Sequence, residues 1–146
     1  MNIGIANDHH GVELKQELTN YLKELGYNVV NFGCDSEEMV DYCDYAFKIG
    51  EAVSKKEIDY GVLICNTGIG MSIACNKVKG IRCAKIDNEI DAKYAKCHNN
   101  ANVIALSANK ELEEIIRLID IFSSNEFMKE QHEIRLNKIM EYENEY

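Results

Sequence analysis

Apolar residues along this chain follow two alternating spacings. Short continuous apolar runs, typical of strands buried in a parallel sheet, are separated by stretches in which apolar residues recur every three or four positions, as in amphipathic helices. The runs predict strands at 2–6, 27–32, 61–64, 81–86 and 102–106. The helical spacing predicts helices at 12–25, around 45–53, and at 71–78, 88–97 and 110–122. This alternation predicts an α/β, Rossmann-like three-layer sandwich with a five-stranded parallel sheet.

The final segment, from about 125 to 146, has a sparser apolar pattern. Its apolar residues stand among many charges and are Phe127, Ile134, Leu136, Ile139, Met140 and Tyr142. Such a helix buries little of its surface within one domain, so we expect it to pack on a partner subunit. A solvated terminal helix is the alternative that the periodicity leaves open. No linker or repeat divides the chain, and 1–146 is predicted to form a single domain.

Composition and charge narrow the classes of function. The 146 residues are 46% hydrophobic and 28% charged, which is typical of a globular domain. The net charge of -9 repels phosphate backbones and anionic lipid, so it disfavours nucleic-acid and membrane-surface binding. The six cysteines form no CxxC pair and lack the Cys/His spacing of a zinc site. Because the first residues lack the pattern of an export signal, we expect a cytoplasmic protein with free thiols and no metal.

Ligands of a parallel sheet bind beyond the carboxyl ends of its strands, where the strand order reverses. The loops predicted at those ends contain Asp8–His10, Cys34 and Asp35, Cys65–Ser72, Asp87, and Ser107–Lys110. Cys65–Ser72 stands between a buried strand and a helix. Gly68 and Gly70 let its backbone approach a ligand, and the amides of the first helical turn favour an anion. The pattern is neither a dinucleotide fingerprint nor a P-loop, and a tight turn without a ligand is the alternative.

Two residues carry candidate acid–base chemistry. Cys65 ends a predicted strand beside a helix amino terminus, where the helix dipole favours a thiolate, so it is a candidate base or nucleophile. His98 precedes strand 102–106 and therefore lies at the opposite strand end. It can reach a site at Cys65 only across a subunit interface, and a simple helix-terminal histidine is the alternative. In the stretch 41–45, Asp44 is a candidate N-cap, or the stretch forms a polar pocket wall.

Four segments together resemble the type B ribose-5-phosphate isomerases, a family that includes galactose-6-phosphate isomerase subunits. The segments are NDHHGVELK at 7–15, VDYCDYA at 40–46, GVLICNTGIGMSIACNKVKGIR at 61–82 and HNNANVIAL at 98–106. The resemblance covers nearly the whole chain. It implies a metal-independent aldose–ketose isomerase without a cofactor, which interconverts ribose 5-phosphate and ribulose 5-phosphate through a cis-enediolate. It also implies a homodimer, or a tetramer of two such dimers, on a five-stranded parallel sheet.

The resemblance also implies individual roles. The implied catalytic residues are Cys65, Thr67, His98 and Asp8, and the implied substrate-binding residues are His9, Tyr42, Asn66, Gly68, Ile69, Gly70, Met71, Ser72, Asn99 and Arg135. Cys65 corresponds to the base that moves a proton between C1 and C2, and Thr67 to the hydroxyl that assists it. The amides from Asn66 to Met71 correspond to the anion hole. His98 corresponds to the histidine that opens the sugar ring from the partner subunit.

Three positions depart from the pattern of that family. Asn66 stands where a glycine usually follows the catalytic cysteine, and Asn109 stands near a position that often carries a phosphate-binding arginine. Gln131 replaces the first arginine of a GGRHxxR pattern, of which Arg135 remains. Because each arginine–phosphate contact is charge-assisted, these changes leave two alternatives open. The chain isomerises another sugar, such as galactose 6-phosphate, allose 6-phosphate or an unphosphorylated aldose, or it is a binding subunit that needs a paralogous partner.

Overall fold

The computed structural model describes residues 1–145, in which strands and helices alternate as far as the last two helices. The strands are β1 (Asn2–Asn7), β2 (Asn28–Asn31), β3 (Tyr60–Cys65), β4 (Cys83–Lys85) and β5 (Val103–Ser107). The helices are α1 (Val12–Glu24), α2 (Tyr42–Ser54), α3 (Ile69–Cys75), α4 (Glu89–Cys97), α5 (Leu112–Ser124) and α6 (Gln131–Glu145). Each element through α5 overlaps a segment for which the hydrophobic pattern predicts the same class of structure.

The strands form one parallel sheet with the order β2-β1-β3-β5-β4. Helices α1, α4 and α5 cover one face, α2 and α3 cover the other, and each face has its own apolar core. Strand β3 is central, and all six of its residues are buried. This arrangement confirms the predicted Rossmann-like three-layer sandwich.

The strand order reverses between β1 and β3. The chain leaves β1 for the edge strand β2 and then returns to pair β3 with the opposite side of β1, so α1 and α2 lie on opposite faces of the sheet. Loops that diverge in this way leave a crevice at the carboxyl ends of the two strands. The Asp8 N–H, just beyond β1, donates to the Ile64 carbonyl at 3.1 Å and so joins the two strand ends. Asp8 and Cys65 consequently border the same crevice.

Two of the boundaries that differ from the predicted ones have local reasons. Helix α2 begins at Tyr42 with Asp41 at its N-cap, so the interpretation of Asp44 as the N-cap is wrong. Helix α3 ends at Cys75 rather than near 78, and the next residue, Asn76, pairs its side chain with the main chain of Cys83. Asn76 Oδ1 accepts from the Cys83 N–H at 2.7 Å, and its Nδ2 donates to the Cys83 carbonyl at 2.9 Å.

The C-terminal helix starts six residues later than predicted. Asn125 Nδ2 donates to the Ile121 carbonyl at 2.7 Å and ends α5, and the Met128 N–H donates to the Cys97 carbonyl at 2.9 Å. Lys129 and Glu130 have left-handed backbone with φ of 61° and 51°, which interrupts any helix from 125. Within residues 1–145 the helix therefore covers Gln131–Glu145, and the predicted end of the helix at 146 lies outside the described residues.

Helix α6 leaves much of its apolar surface uncovered within the chain. His132 and Leu136 are buried, whereas Ile134, Ile139 and Met140 are exposed. A cavity of about 450 Å³ separates α6 from the edge of the sheet at β4. The packing of this helix on a partner subunit stays a prediction. No helix within residues 1–145 is long and apolar enough to cross a bilayer.

Candidate active site

A cysteine thiol lies at the carboxyl end of the central strand. Cys65 is only 5% exposed, and the Gly68 N–H donates to its Sγ at 3.2 Å. Gly68 has a φ of 83°, which lets the chain turn sharply from β3 into α3. A Cβ on Gly68 would lie 3.2 Å from the main chain of Leu106. The turn therefore fixes the sulfur and gives a thiolate a hydrogen-bond donor.

The turn after Cys65 also presents main-chain donors. Within residues 1–145, the amides of Thr67, Gly70 and Met71 have no hydrogen-bond acceptor. The exposed Thr67 hydroxyl accepts from the Ile69 N–H at 3.1 Å, which holds Thr67 Oγ1 against the first turn of α3. Donors fixed in this way beside a base can stabilise negative charge that develops on a bound molecule.

Tyr42 forms one wall beside this turn. A Cβ on Gly70 would lie 2.7 Å from the Tyr42 ring, so the absence of a side chain at 70 is what allows the ring to approach the turn. The Cys43 thiol and, to a smaller extent, Cys65 raise the pKa of Tyr42. The Tyr42 hydroxyl is therefore neutral at pH 7 and can donate a hydrogen bond.

The loop after β1 adds a carboxylate and two imidazoles. Asp8 is 4% exposed, its Oδ1 accepts from the His10 N–H at 2.9 Å, and its Oδ2 lies 3.3 Å from His10 Nδ1. His9 Nδ1 accepts from the Val40 N–H at 3.3 Å, which orients the second ring. One ligand atom from each of Asp8, His9 and His10 lies within 4.8 Å of the others, a spacing that suits a metal ion. The bonds between Asp8 and His10 equally suit an oriented carboxylate that binds a hydroxyl.

A second polar cluster lies at the C-terminal end of α4. The His98 ring stacks on Tyr94 and on His132, with centroids 4.2 Å away in both cases. Loss of hydration, followed by electrostatic interactions with His132 and Arg135, lowers the pKa of His98. His98 is therefore a neutral imidazole at pH 7, able to accept a proton. Asn99 follows it in the chain and is exposed.

The two clusters lie at opposite ends of the sheet. Strands β3 and β5 pair in parallel, with Gly61 opposite Val103 and Cys65 opposite Ser107. His98 precedes β5, whereas Cys65 ends β3, so the length of a strand separates them. Four residue steps of about 3.3 Å make that length roughly 13 Å. Within one chain, the predicted site residues Asp8, His9, Tyr42 and 65–72 lie together at the carboxyl end of the sheet. The other three, His98, Asn99 and Arg135, lie away from them.

Comparison with known proteins identifies the family. Residues 3–139 match the model of the Ribose/Galactose Isomerase family. The chain belongs to this family. It is 36% identical to ribose-5-phosphate isomerase B of Escherichia coli over 138 residues. This alignment covers 94% of this chain and 93% of that protein. This confirms the family resemblance that the sequence motifs indicated.

Solved structures agree with the family assignment over the whole fold. Ribose-5-phosphate isomerase B of Clostridium thermocellum superposes with a TM-score of 0.97 at 43% identity, over 100% of this chain and 99% of that one. The Mycoplasma genitalium enzyme was solved with bound ribulose 5-phosphate. It superposes with a TM-score of 0.95 at 40% identity, over 99% of this chain and 97% of that one.

Two residues at which this member of the ribose/galactose isomerase family departs from the expected pattern, Asn66 and Asn109, contact each other. Asn109 Nδ2 donates to Asn66 Oδ1 and to the Asn66 carbonyl, at 3.1 Å in both cases. The neighbouring Lys110 Nζ donates to the Asp87 carbonyl at 2.8 Å and pairs with Glu114 at 3.1 Å. Both polar side chains after β5 are therefore engaged within the chain.

Sequence reasoning missed two contacts within these clusters. Tyr94 lies one helical turn before His98, a spacing that places their rings together on α4 and is visible in the sequence. Ser107 donates its hydroxyl to the Asn66 carbonyl at 2.7 Å. No local pattern predicts that second contact, because the two residues are far apart in the chain.

Proposed function

We propose that this chain is a ribose-5-phosphate isomerase, an aldose–ketose isomerase that interconverts ribose 5-phosphate and ribulose 5-phosphate with Cys65 as the base. The observation that carries the proposal is the Cys65 thiol, held at the switch of strand order by the Gly68 N–H, directly beside amides that have no acceptor within residues 1–145. The activity of the Escherichia coli and Clostridium thermocellum relatives supports the same reaction.

The reaction moves one hydrogen between two neighbouring carbons. The Cys65 thiolate removes the proton from C2 of the open-chain aldose, and the electrons left behind form the C1–C2 double bond of a cis-enediolate with its charge on O1. The same thiol then delivers a proton to C1, while the Thr67 hydroxyl passes the O2 proton to O1. The product has a carbonyl at C2 and two hydrogens on C1, so atoms and electrons balance.

Stabilisation of the enediolate makes a thiolate base sufficient. A proton next to a carbonyl is only weakly acidic, so the negative charge must be bound as it develops. In this proposal the amides of Thr67, Gly70 and Met71, which have no acceptor within residues 1–145, bind O1. Loss of one such preorganised donor costs about 3 kcal/mol in other enzymes. The base and its anion hole are contiguous in the sequence.

Two copies of the chain complete the site in this proposal. His98 and Asn99 lie too far from Cys65 within one chain, so we assign ring opening and a sugar contact to His98 of the partner subunit and Asn99 of the partner subunit. The exposed apolar residues of α6 provide an area for pairing. The assembly is a homodimer, or two such dimers, with two equivalent sites in each dimer.

The remaining contacts bind the two ends of the sugar phosphate. Asp8 binds a sugar hydroxyl, Tyr42 closes the wall, and His9 with Arg135 of the partner subunit holds the phosphate.

All six cysteines are free thiols, which supports a cytoplasmic location. The proposed reaction uses no metal and no cofactor.

A substrate comparison with the purified protein tests the activity. We expect kcat/KM for ribose 5-phosphate to exceed that for free ribose and free allose by at least about tenfold, because the phosphate contacts add charge-assisted bonds. We expect a similar preference over allose 6-phosphate and galactose 6-phosphate, because one more carbon separates their phosphate from the reacting carbons. Preference for another sugar would contradict the substrate assignment. One observation favours that alternative, namely the contact between Asn66 and Asn109, two residues that depart from the family pattern. Lack of any turnover by the chain alone would indicate a binding subunit.

A further inference from the structure

The turn after β5 holds the main chain of the catalytic turn after β3. The Ala108 N–H donates to the Cys65 carbonyl at 2.8 Å. The Ser107 hydroxyl donates to the Asn66 carbonyl at 2.7 Å, and Asn109 Nδ2 donates to the same carbonyl at 3.1 Å. Two consecutive carbonyls, those of the base and of the residue after it, are therefore fixed by donors from one neighbouring loop.

The donors from this loop also orient one another. The Asn109 N–H donates to Ser107 Oγ at 3.1 Å, so the single hydroxyl proton of Ser107 is directed to Asn66. Asn109 Nδ2 additionally donates to Asn66 Oδ1 at 3.1 Å. The side-chain amide of Asn109 thus binds both the main chain and the side chain of Asn66.

Fixing the Asn66 carbonyl determines where the next amide points. A trans peptide group is planar, and its C=O and N–H point in opposite directions. Because the Asn66 carbonyl faces the β5 loop, the Thr67 N–H faces away from it. This N–H has no acceptor within residues 1–145. The contacts from Ser107 and Asn109 therefore preorganise a main-chain donor of the anion hole.

We propose that Ser107 and Asn109 are positioning residues for the isomerisation. They do not contact the sugar; they hold the Asn66–Thr67 peptide so that the Thr67 N–H faces the enediolate oxygen. The inference rests on the proposed function and adds to it the residues that orient the anion hole. A donor that is displaced by a fraction of an ångström loses much of its effect on the transition state while ground-state binding changes little.

Steady-state kinetics of Asn109 variants tests this inference on the full chain. Asn109→Ala should lower kcat for ribose 5-phosphate about tenfold with KM within about twofold of the wild type. Asn109→Asp should lower kcat further, because its carboxylate would face two oxygen atoms of Asn66. Ser107→Ala should lower kcat in the same way. Asn20→Ala, at an exposed position on α1, serves as the matched control and should leave kcat unchanged.

Inhibition by inorganic phosphate separates positioning from substrate contact. A positioning role leaves the phosphate inhibition constant of Asn109→Ala unchanged, and thermal unfolding checks that each variant is folded. A raised KM together with a raised phosphate inhibition constant would show that Asn109 binds the phosphate and would overturn the inference. Wild-type kcat in Asn109→Ala and Asn109→Asp would also overturn it.

The same assay keeps this inference separate from the proposed function. If the wild-type chain does not turn over ribose 5-phosphate, or if Cys65→Ala is as active as the wild type, the proposed function fails and the inference with it. If turnover depends on Cys65 but not on Asn109 or Ser107, only the inference fails.

Discussion

Replacement of Cys65 by alanine should lower kcat for ribose 5-phosphate by about a thousandfold while the protein remains folded, because the substitution removes the base from C2. Cys65 ends a strand that is buried on both sides, and alanine fits within the volume of the thiol. The Gly68 N–H loses its acceptor, so we expect a loss of about 1 kcal/mol in the free energy of unfolding. Coupled measurement of ribulose 5-phosphate formation, with thermal unfolding in parallel, checks both effects.

The matched control is a second buried cysteine in the same region. Cys75 is fully buried at the end of α3 and packs among residues of the α2–α3 core. Cys75→Ala should keep kcat within about twofold of the wild type, at a similar cost in stability. Equal losses of activity in the two variants would mean that the effect of Cys65→Ala reflects damage to the core rather than to the chemistry.

Replacement of His98 by alanine should lower kcat/KM for ribose 5-phosphate about a hundredfold. Ribose 5-phosphate is mainly a closed ring in solution, and in our proposal a neutral His98 of the partner subunit transfers the proton that opens it. Local dehydration and the nearby positive charges lower the pKa of His98, which keeps the ring neutral at pH 7. The pH dependence of kcat/KM should show activity falling as His98 becomes protonated at lower pH.

Damage to the end of α4 is the competing explanation for a loss at His98. Cys97→Ala changes the adjacent buried residue of the same helix without touching the His98 stack on Tyr94 and His132. We expect this control to retain activity within about twofold and the same pH profile. Full activity in His98→Ala would remove His98 from the mechanism and leave ring opening to another group.

The hydrophobic pattern predicts the order of strands and helices well, because each buried strand is a continuous run of apolar residues that is visible in the local sequence. The run from Gly61 to Ile64 is too apolar for an exposed edge, and it forms most of the central strand β3. The predicted helix 71–78 starts two residues too late, because Gly68, at φ 83°, already serves as the N-cap of α3. Helix boundaries depend on such caps, which a hydrophobic period does not record.

Long-range contacts explain what the sequence did not predict. The break at 125–130 depends on Met128 bonding to Cys97, which belongs to a different helix. The contact between Asn66 and Asn109 joins residues 43 positions apart. Each asparagine alone appears in the sequence as a departure from a family pattern. Only the parallel pairing of β3 with β5 brings the two side chains together.

The candidate site was predictable in parts rather than as a whole. The motif from Cys65 to Ser72 indicated an anion-binding turn, and the structure adds its donors and the neighbouring Tyr42 ring. The order of elements already placed His98 at the other end of the sheet from Cys65, because it precedes a strand. That separation is the reason why our proposal completes the site with a second copy of the chain.

Mixed dimers test the central claim most directly, since they require both Cys65 chemistry and a site shared between subunits. Cys65→Ala and His98→Ala chains, each nearly inactive alone, are co-expressed with different tags, and turnover of ribose 5-phosphate is measured on the mixture. Random pairing makes about half of the dimers mixed, and one site in each mixed dimer combines an intact Cys65 with an intact His98. The account predicts roughly a quarter of wild-type turnover in the mixture. A mixture as inactive as its two components would contradict it.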